Sequence, residues 1–174
     1  SIEDLPFNLV LAATAEEEIS GHDGIEILLP RLAKIDCGIV GEPTLLNMAI
    51  AEKGLLVLDC TAHGVAGHAA RDEGVNAIYK AVKDIEWFNN FKFEKASKFL
   101  GPVHMAVTSV NTLNKTHNIV PSECSFTVDI RVNELYAFEE VIAEVKRNVS
   151  SDVMPRSTLL KPSFIEEDHP LVIS

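Results

Sequence analysis

The stretch Glu123-Cys124-Ser125-Phe126-Thr127-Val128-Asp129-Ile130-Arg131-Val132 alternates between apolar and polar side chains over most of its length. Side chains along an extended strand point to opposite faces in turn, so this period of two places the apolar set on one face. A second stretch repeats the pattern with Leu56, Leu58, Cys60 and Ala62. The pattern is typical of antiparallel strands with one face on a core and the other in solvent.

Two amphipathic helices and two further strands complete this part of the chain. One helix presents Ile78, Ala81, Val82, Ile85 and Phe88 on one side, and the other presents Phe138, Val141, Ile142 and Val145. With strands near residues 103–110 and 153–160, the order is β-α-β-β-α-β, the ferredoxin-like arrangement. We therefore predict a ferredoxin-like α+β domain over residues 54–160. Residues 161–174 have no clear period, and we predict that they form a linker back to the preceding domain.

Residues 1–53 have a different pattern of apolar residues. Phe7–Ala13 and Ile35–Val40 are near-continuous apolar runs, which are typical of parallel strands covered on both faces, and Gly24–Leu29 between them favours a short helix. This order predicts a βαβ unit, so we expect residues 1–53 to be part of an α/β domain.

Both apolar runs end in carboxylates. Glu16-Glu17-Glu18 follows the first, and Gly41-Glu42-Pro43-Thr44 follows the second. Because ligand sites of open α/β sheets lie at the carboxyl ends of the strands, the two acidic turns predict one candidate site. Adjacent carboxylates repel each other, so such a cluster favours a bound cation; the alternative is a solvated acidic turn.

The charge of the chain limits its partners. The 174 residues carry a formal net charge of -11, and the Lys and Arg residues are scattered rather than massed into a patch. This distribution argues against binding to nucleic acid or to an anionic membrane, and it favours a small molecule or another protein as the partner. No apolar run approaches the roughly 18 residues of a membrane helix.

The cysteine pattern bears on the compartment. Cys37, Cys60 and Cys124 are odd in number and lack CxxC spacing. We expect all three to be buried free thiols of a cytoplasmic protein, and the N-terminal residues show no sign of an export signal.

Four motifs in order give the chain a family resemblance. They are the acidic triplet at residues 16–18, Gly41-Glu42-Pro43-Thr44, the pair Gly64-Val65-Ala66-Gly67-His68-Ala69-Ala70 and Gly74-Val75-Asn76-Ala77-Ile78, and Asn118-Ile119-Val120-Pro121 followed by Asp129-Ile130-Arg131. Together they resemble the two-metal amidohydrolase family of acetylornithine deacetylase, succinyl-diaminopimelate desuccinylase, aminoacylase and glutamate carboxypeptidases. In that family a zinc-peptidase-like α/β metal domain is interrupted by a ferredoxin-like lid that forms a dimer.

The resemblance implies a role for several residues. Glu17 would be the general base, while Glu18 and Glu42 would each be a ligand of one of two zinc ions, for which cobalt or manganese can stand in. His68 would donate a hydrogen bond to the oxyanion in the active site of the partner subunit. The implied reaction is hydrolysis of an amide bond by a metal-activated water, with Glu17 moving the proton.

Asn118 and Arg131 resemble the substrate-holding pair of the family. Arg131 lies on the polar face of its strand, where a guanidinium can clamp a carboxylate through two hydrogen bonds. The alternative for Arg131 is a solvated ion pair with Asp129 or Glu123.

The resemblance also implies that further metal ligands lie upstream and downstream, so we expect this chain to be an incomplete, inactive fragment of a homodimeric enzyme. The Gly-Glu-Pro-Thr and Gly-Val-Asn-Ala-Ile motifs most resemble the acetylornithine deacetylase branch of arginine biosynthesis, including the acetylcitrulline deacetylases, with an N-acyl amino acid as substrate. Two alternatives stay open: a non-catalytic dimerisation module, and a di- or tripeptidase of the same family.

Overall fold

The computed structural model describes residues 8–15, 23–45 and 47–173. The chain divides into two compact units, Ser1–Pro43 and Thr44–Ser174. The boundary falls directly after Pro43. The two units are taken separately below.

In the first unit, the described residues form helix α1 (Ile25–Leu28), which continues as a short 3-10 helix over Leu29–Arg31. The short helix was predicted at this place, and Pro30 lies within its final turn.

The two buried strands predicted for this unit are not found. The described residues from 8 to 13 and from 35 to 40 are neither helix nor strand, and Leu11 and Ile39 are 95% and 86% exposed. A strand buried on both faces is stabilised by neighbouring strands and by covering helices. The described part of the unit supplies only one short helix and one 3-10 turn, so the apolar runs lack that support.

The second unit is built on a four-stranded antiparallel sheet. Its strands are β2 (Gly54–His63), β4 (His104–Asn111), β6 (Glu123–Val132) and β7 (Asp152–Pro155), in the spatial order β4-β6-β2-β7. The long central strands pair over their whole length, from Gly54 opposite Val132 to His63 opposite Glu123. This register places the apolar residues of both strands on one face, as the alternation predicted.

Two helices cover that face. Helix α2 (Ala77–Asn90) begins at Asn76, whose side chain caps the backbone N–H of Ile78, and helix α3 (Phe138–Asn148) precedes β7. The largest fully buried side chains of the resulting core are Phe88, Phe126, Phe138, Leu56, Leu58 and Ile130. The ferredoxin-like β-α-β-β-α-β fold is therefore confirmed.

The thiols divide between the two units. Cys60 and Cys124 are buried in the core of the second unit, whereas Cys37 of the first unit is exposed. The prediction that Cys37 is buried was wrong, because the strand that would have buried it is absent from the described residues. Burial raises the pKa of the Cys60 thiol to about 12, with Asp84 and Asp59 adding to the shift, and it also raises the pKa of Cys124.

The chain enters and leaves the sheet through a two-stranded ribbon. Strand β1 (Ala51–Glu52) pairs antiparallel with β8 (Ser163–Phe164), and a final short helix α4 spans Pro170–Ile173. The ring of Phe164 lies 5.4 Å from that of Phe99, and Lys98 forms an ion pair with Glu167 at 2.9 Å.

Strand β7 ends at Pro155, earlier than the predicted residue 160. Among the described residues, no helix is both long enough and apolar enough to span a membrane.

Candidate functional site

The loop that carries His68 is held closed by close contact between its two legs. The loop leaves β2 at Gly64 and returns to α2 at Asn76, and Val65 and Val75 form reciprocal backbone hydrogen bonds of 2.8 Å across it. A Cβ atom on Gly67 would lie 2.3 Å from the carbonyl oxygen of Glu73, so no larger residue fits there without a shift of the backbone. Glycine is needed at this contact because it alone lets the two legs of the loop approach so closely.

At the tip of this loop, a second small ribbon positions His68. Strand β3 (Gly67–His68) pairs antiparallel with β5 (Ile119–Val120), and His68 stands opposite Ile119. The backbone N–H of Ala69 donates to the carbonyl of Asn118 at 2.9 Å. The structure therefore brings His68 and Asn118, two of the predicted site residues, to one end of the domain.

The imidazole of His68 is oriented by its own backbone. Its Nδ1 atom accepts a hydrogen bond of 3.2 Å from the backbone N–H of Ala70, at the start of a 3-10 turn over Ala69–Arg71. An Nδ1 that accepts carries no proton, so the neutral ring carries its proton on Nε2. His68 is half-buried, and the Nε2–H group is thereby set up as a donor.

An open groove of about 330 Å³ borders the ribbon. Its wall includes Ala66, Leu113, Asn114 and Ile119. The side-chain amide of Asn114 donates to the carbonyl of Ile119 at 2.7 Å, and its Oδ1 accepts from the backbone N–H of Thr116 at 3.1 Å. These bonds tie the loop before β5 to the ribbon. Sequence reasoning did not single out Asn114, although Asn is common in turns that bond to their own backbone.

Arg131 lies elsewhere on the domain. The loop that carries His68 meets the start of β6, where the backbone N–H of Gly64 donates to the carbonyl of Ser122. Arg131 lies eight residues beyond Glu123 on the same strand, which is about 26 Å along an extended chain. The guanidinium of Arg131 is bound twice by Asp129, with its Nε at 2.8 Å and its Nη2 at 3.1 Å from the two carboxylate oxygens. Within one chain the structure does not bring Arg131 together with His68.

A second charged pair on the open face of the sheet was not foreseen. Arg156 donates from Nε and Nη2 to the two carboxylate oxygens of Asp59 at 2.7 and 2.8 Å, and Thr127 donates to Asp59 at 3.0 Å. The hydrogen bond from Arg156 holds the pKa of Asp59 below its usual value, although partial burial acts in the opposite direction. The alternation predicted which face Asp59 occupies, but its partner Arg156, directly after β7, depends on the order of the strands.

The predicted metal ligands are only partly visible. Glu17 and Glu18 lie outside the described residues, and Glu42 is exposed in a segment without helix or strand. The described residues contain no group of three or more His, Cys, Asp or Glu side chains arranged to hold a metal ion. Catalytic zinc sites take about three protein ligands per metal, so the described residues do not fit a metal site on their own.

Comparison with known proteins identifies the domain. Residues 50–155 match the M20 peptidase dimerisation domain. The chain belongs to the M20 peptidase family. It is 30% identical over 174 residues to a succinyl-diaminopimelate desuccinylase of Dinoroseobacter shibae, an alignment that covers 90% of this chain and 46% of that protein. It is 28% identical to succinyl-diaminopimelate desuccinylase 2 of a Ruegeria species, over 80% of this chain and 38% of that protein. The chain thus spans less than half the length of these relatives.

Solved structures of two peptidases share the fold. The aminopeptidase PepT of Bacillus cereus superposes with a TM-score of 0.55 at 16% identity, over 71% of this chain and 34% of the other. A tripeptidase of Staphylococcus aureus gives a TM-score of 0.53 at 17% identity, with the same coverage. The predicted family is confirmed, whereas the narrower prediction of an acetylornithine deacetylase gains no support from these relatives.

Proposed function

We propose that this chain is the dimerisation part of a metal-dependent hydrolase that cleaves the amide bond of an N-acylated amino acid. The observation that carries the proposal is the geometry of His68, a half-buried imidazole at the tip of a braced loop in an M20 dimerisation domain. Such a loop is built to place one side chain accurately.

His68 would stabilise the charge that develops on the amide oxygen. The bond from the Ala70 N–H to Nδ1 leaves the proton of the neutral ring on Nε2, so that atom can donate to the oxyanion without a change of tautomer. A preorganised donor of this kind contributes roughly 10²–10³ to kcat. Asn118, joined to the same ribbon through its carbonyl, would hold the substrate beside it.

The metal centre is a further part of the proposal. Glu17 would act as general base, while Glu18 and Glu42 would each be a zinc ligand, and the remaining ligands would come from parts of the enzyme beyond this chain. The support is the order of the four motifs along the sequence. We also propose a cytoplasmic location, which the three free thiols favour.

A homodimer would place His68 in the active site of the partner subunit. Strand β4 stands at one end of the sheet, and the pairing of two such strands across a twofold axis would satisfy their outward backbone groups. Val110 of β4 is 56% exposed, and Val82 of α2, a helix that packs against β4, β6 and β2, is 53% exposed. An apolar edge of this kind suits a second copy of the same domain.

For the acyl group, we infer that an N-succinylated diamino acid is the first substrate to test, because the relatives reported above are named for it. The N-acetylated amino acid favoured by the Gly-Glu-Pro-Thr motif is the second. A succinyl carboxylate would need a cation. In a dimer that brings His68 of one subunit to the site of the other, Arg131 of that other subunit would supply it if the substrate carboxylate displaced Asp129 from its guanidinium.

Turnover by the full-length protein tests the proposal. N-succinyl-diaminopimelate, N-acetylornithine and a tripeptide would be supplied with zinc, and release of the free amine would be followed for the wild type and for Glu17→Ala and Glu18→Ala. The proposal predicts hydrolysis of an N-acyl amino acid and a large loss in both variants. Full turnover by both variants would refute it, and hydrolysis of the tripeptide alone would favour the peptidase alternative. Absence of any turnover or zinc binding would favour the non-catalytic dimerisation module.

A further inference from the structure

The side chain next to His68 across the ribbon is that of Ile119. The two residues are directly opposite in the antiparallel pair of β3 with β5. Side chains of opposite residues lie on the same face of such a pair, with their Cβ atoms about 5 Å apart. Any substrate group that reaches the imidazole of His68 therefore passes close to Ile119.

Ile119 is also well exposed, although it belongs to a strand. It is 45% exposed and does not belong to the hydrophobic core, whose strand residues are almost fully covered. The Asn114 amide fixes its backbone through the 2.7 Å bond to its carbonyl. Ile119 is therefore an apolar side chain held in a fixed position on the surface. Packing of the core does not explain why an apolar residue stands there.

The groove continues this apolar surface on part of its wall, which also carries the polar residues Thr112, Asn114, Ser122 and Glu123. Ile119 lines it together with Ala66 and Leu113, and Leu113 is 80% exposed. An aliphatic chain laid along these side chains would remove apolar area from water, which is favourable. This apolar part of the wall thus complements a chain of methylene groups.

We propose that Ile119 is a specificity-determining residue that contacts the aliphatic chain next to the scissile amide bond. The inference rests on the proposed function, since it takes His68 to hold the amide oxygen. The aliphatic chain belongs either to the acyl group or to the amino acid, and the two sources are separated by experiment.

The test compares kcat/KM of the full-length protein across two substrate series. One series lengthens the acyl group on a fixed amino acid (acetyl, butyryl, hexanoyl), and the other lengthens the amino-acid side chain under a fixed acetyl group. Ile119→Ala is expected to lower kcat/KM about tenfold for the long members of one series and little for its shortest member, because a few methylene contacts are lost. Ile119→Val should fall between Ile119→Ala and the wild type.

Two further variants serve as controls for this test. Leu135→Ala removes a side chain of similar exposure, 42%, from the turn after β6, and it should change no substrate ratio. A uniform loss across both series in Ile119→Ala would overturn the inference, since it would indicate a packing role only. His68→Ala separates the two proposals: unchanged turnover would refute the proposed function and this inference with it, whereas a large loss together with flat Ile119 ratios would refute the inference alone.

Discussion

The Nδ1 atom of His68 accepts a hydrogen bond from the backbone N–H of Ala70, two residues along the chain. This local contact determines what the ring can do. A histidine whose Nδ1 is occupied in this way can present only Nε2–H to a ligand while it is neutral.

The first prediction concerns this tautomer. Nitrogen-15 NMR of the isolated 174-residue chain, at a pH where His68 is neutral, should show a protonated Nε2 and an unprotonated Nδ1. Ala70→Pro deletes the donating N–H, so the preference should weaken in that variant. A ring with its proton on Nδ1 in the wild type would contradict the assignment.

The second prediction concerns the dimer edge. Val82→Glu and Val110→Lys each place a charge on an exposed apolar side chain of β4 or of the helix packed on it, so both variants should sediment as monomers at micromolar concentration, where the wild type is expected to be a dimer. Met154→Lys is the matched control, because Met154 is 66% exposed on β7 at the other end of the sheet. Dissociation by Met154→Lys alone would move the interface to the β7 edge.

The third prediction concerns the Asp59–Arg156 pair. Because the folded-state pKa of Asp59 lies below its ordinary value of 3.8, the pair adds stability that is fully present above pH 3.8 and is lost as the pH falls through the lower folded value. Carbon-13 NMR of the Asp59 carboxyl should show this lowered pKa, and Arg156→Gln should raise it. No change on removal of Arg156 would show that another group lowers it.

The fourth prediction concerns thiol reactivity. With the pKa of Cys60 raised to about 12 and that of Cys124 also raised, both buried thiols stay protonated near pH 8 and should not react with a disulfide reagent in the folded chain. Only the exposed Cys37 should react, and all three should react after denaturation. Rapid labelling of Cys60 in the native state would indicate that the core opens.

The sequence predicted the second unit well because its pattern is local and repeated. Alternation in Glu123–Val132 determines which face each side chain occupies, and the register against β2 follows once that face is buried. The partners across strands were harder to predict, since the Arg156 contact with Asp59 depends on β7 standing beside β2. No local sequence pattern predicts the order of the strands in the sheet.

The first unit shows the opposite limit. Apolar runs such as Ile35–Val40 predict burial, but a buried strand forms only where other strands and helices meet it, and the described part of the first unit supplies one short helix and one 3-10 helix. For the site, the family resemblance implied a role for His68, whereas the position of Ile119 opposite His68 became visible only from the pairing of β3 with β5.

The most direct test of the central claim uses two full-length variants in one dimer. Glu17→Ala and His68→Ala subunits, each carrying a different affinity tag, would be co-expressed, and the heterodimer would be purified through both tags. If His68 acts in the partner subunit, one of the two sites is intact, so the heterodimer should recover about half of the wild-type turnover, while both homodimers stay nearly inactive. A heterodimer as inactive as the homodimers, or a His68→Ala homodimer with full turnover, would contradict the account.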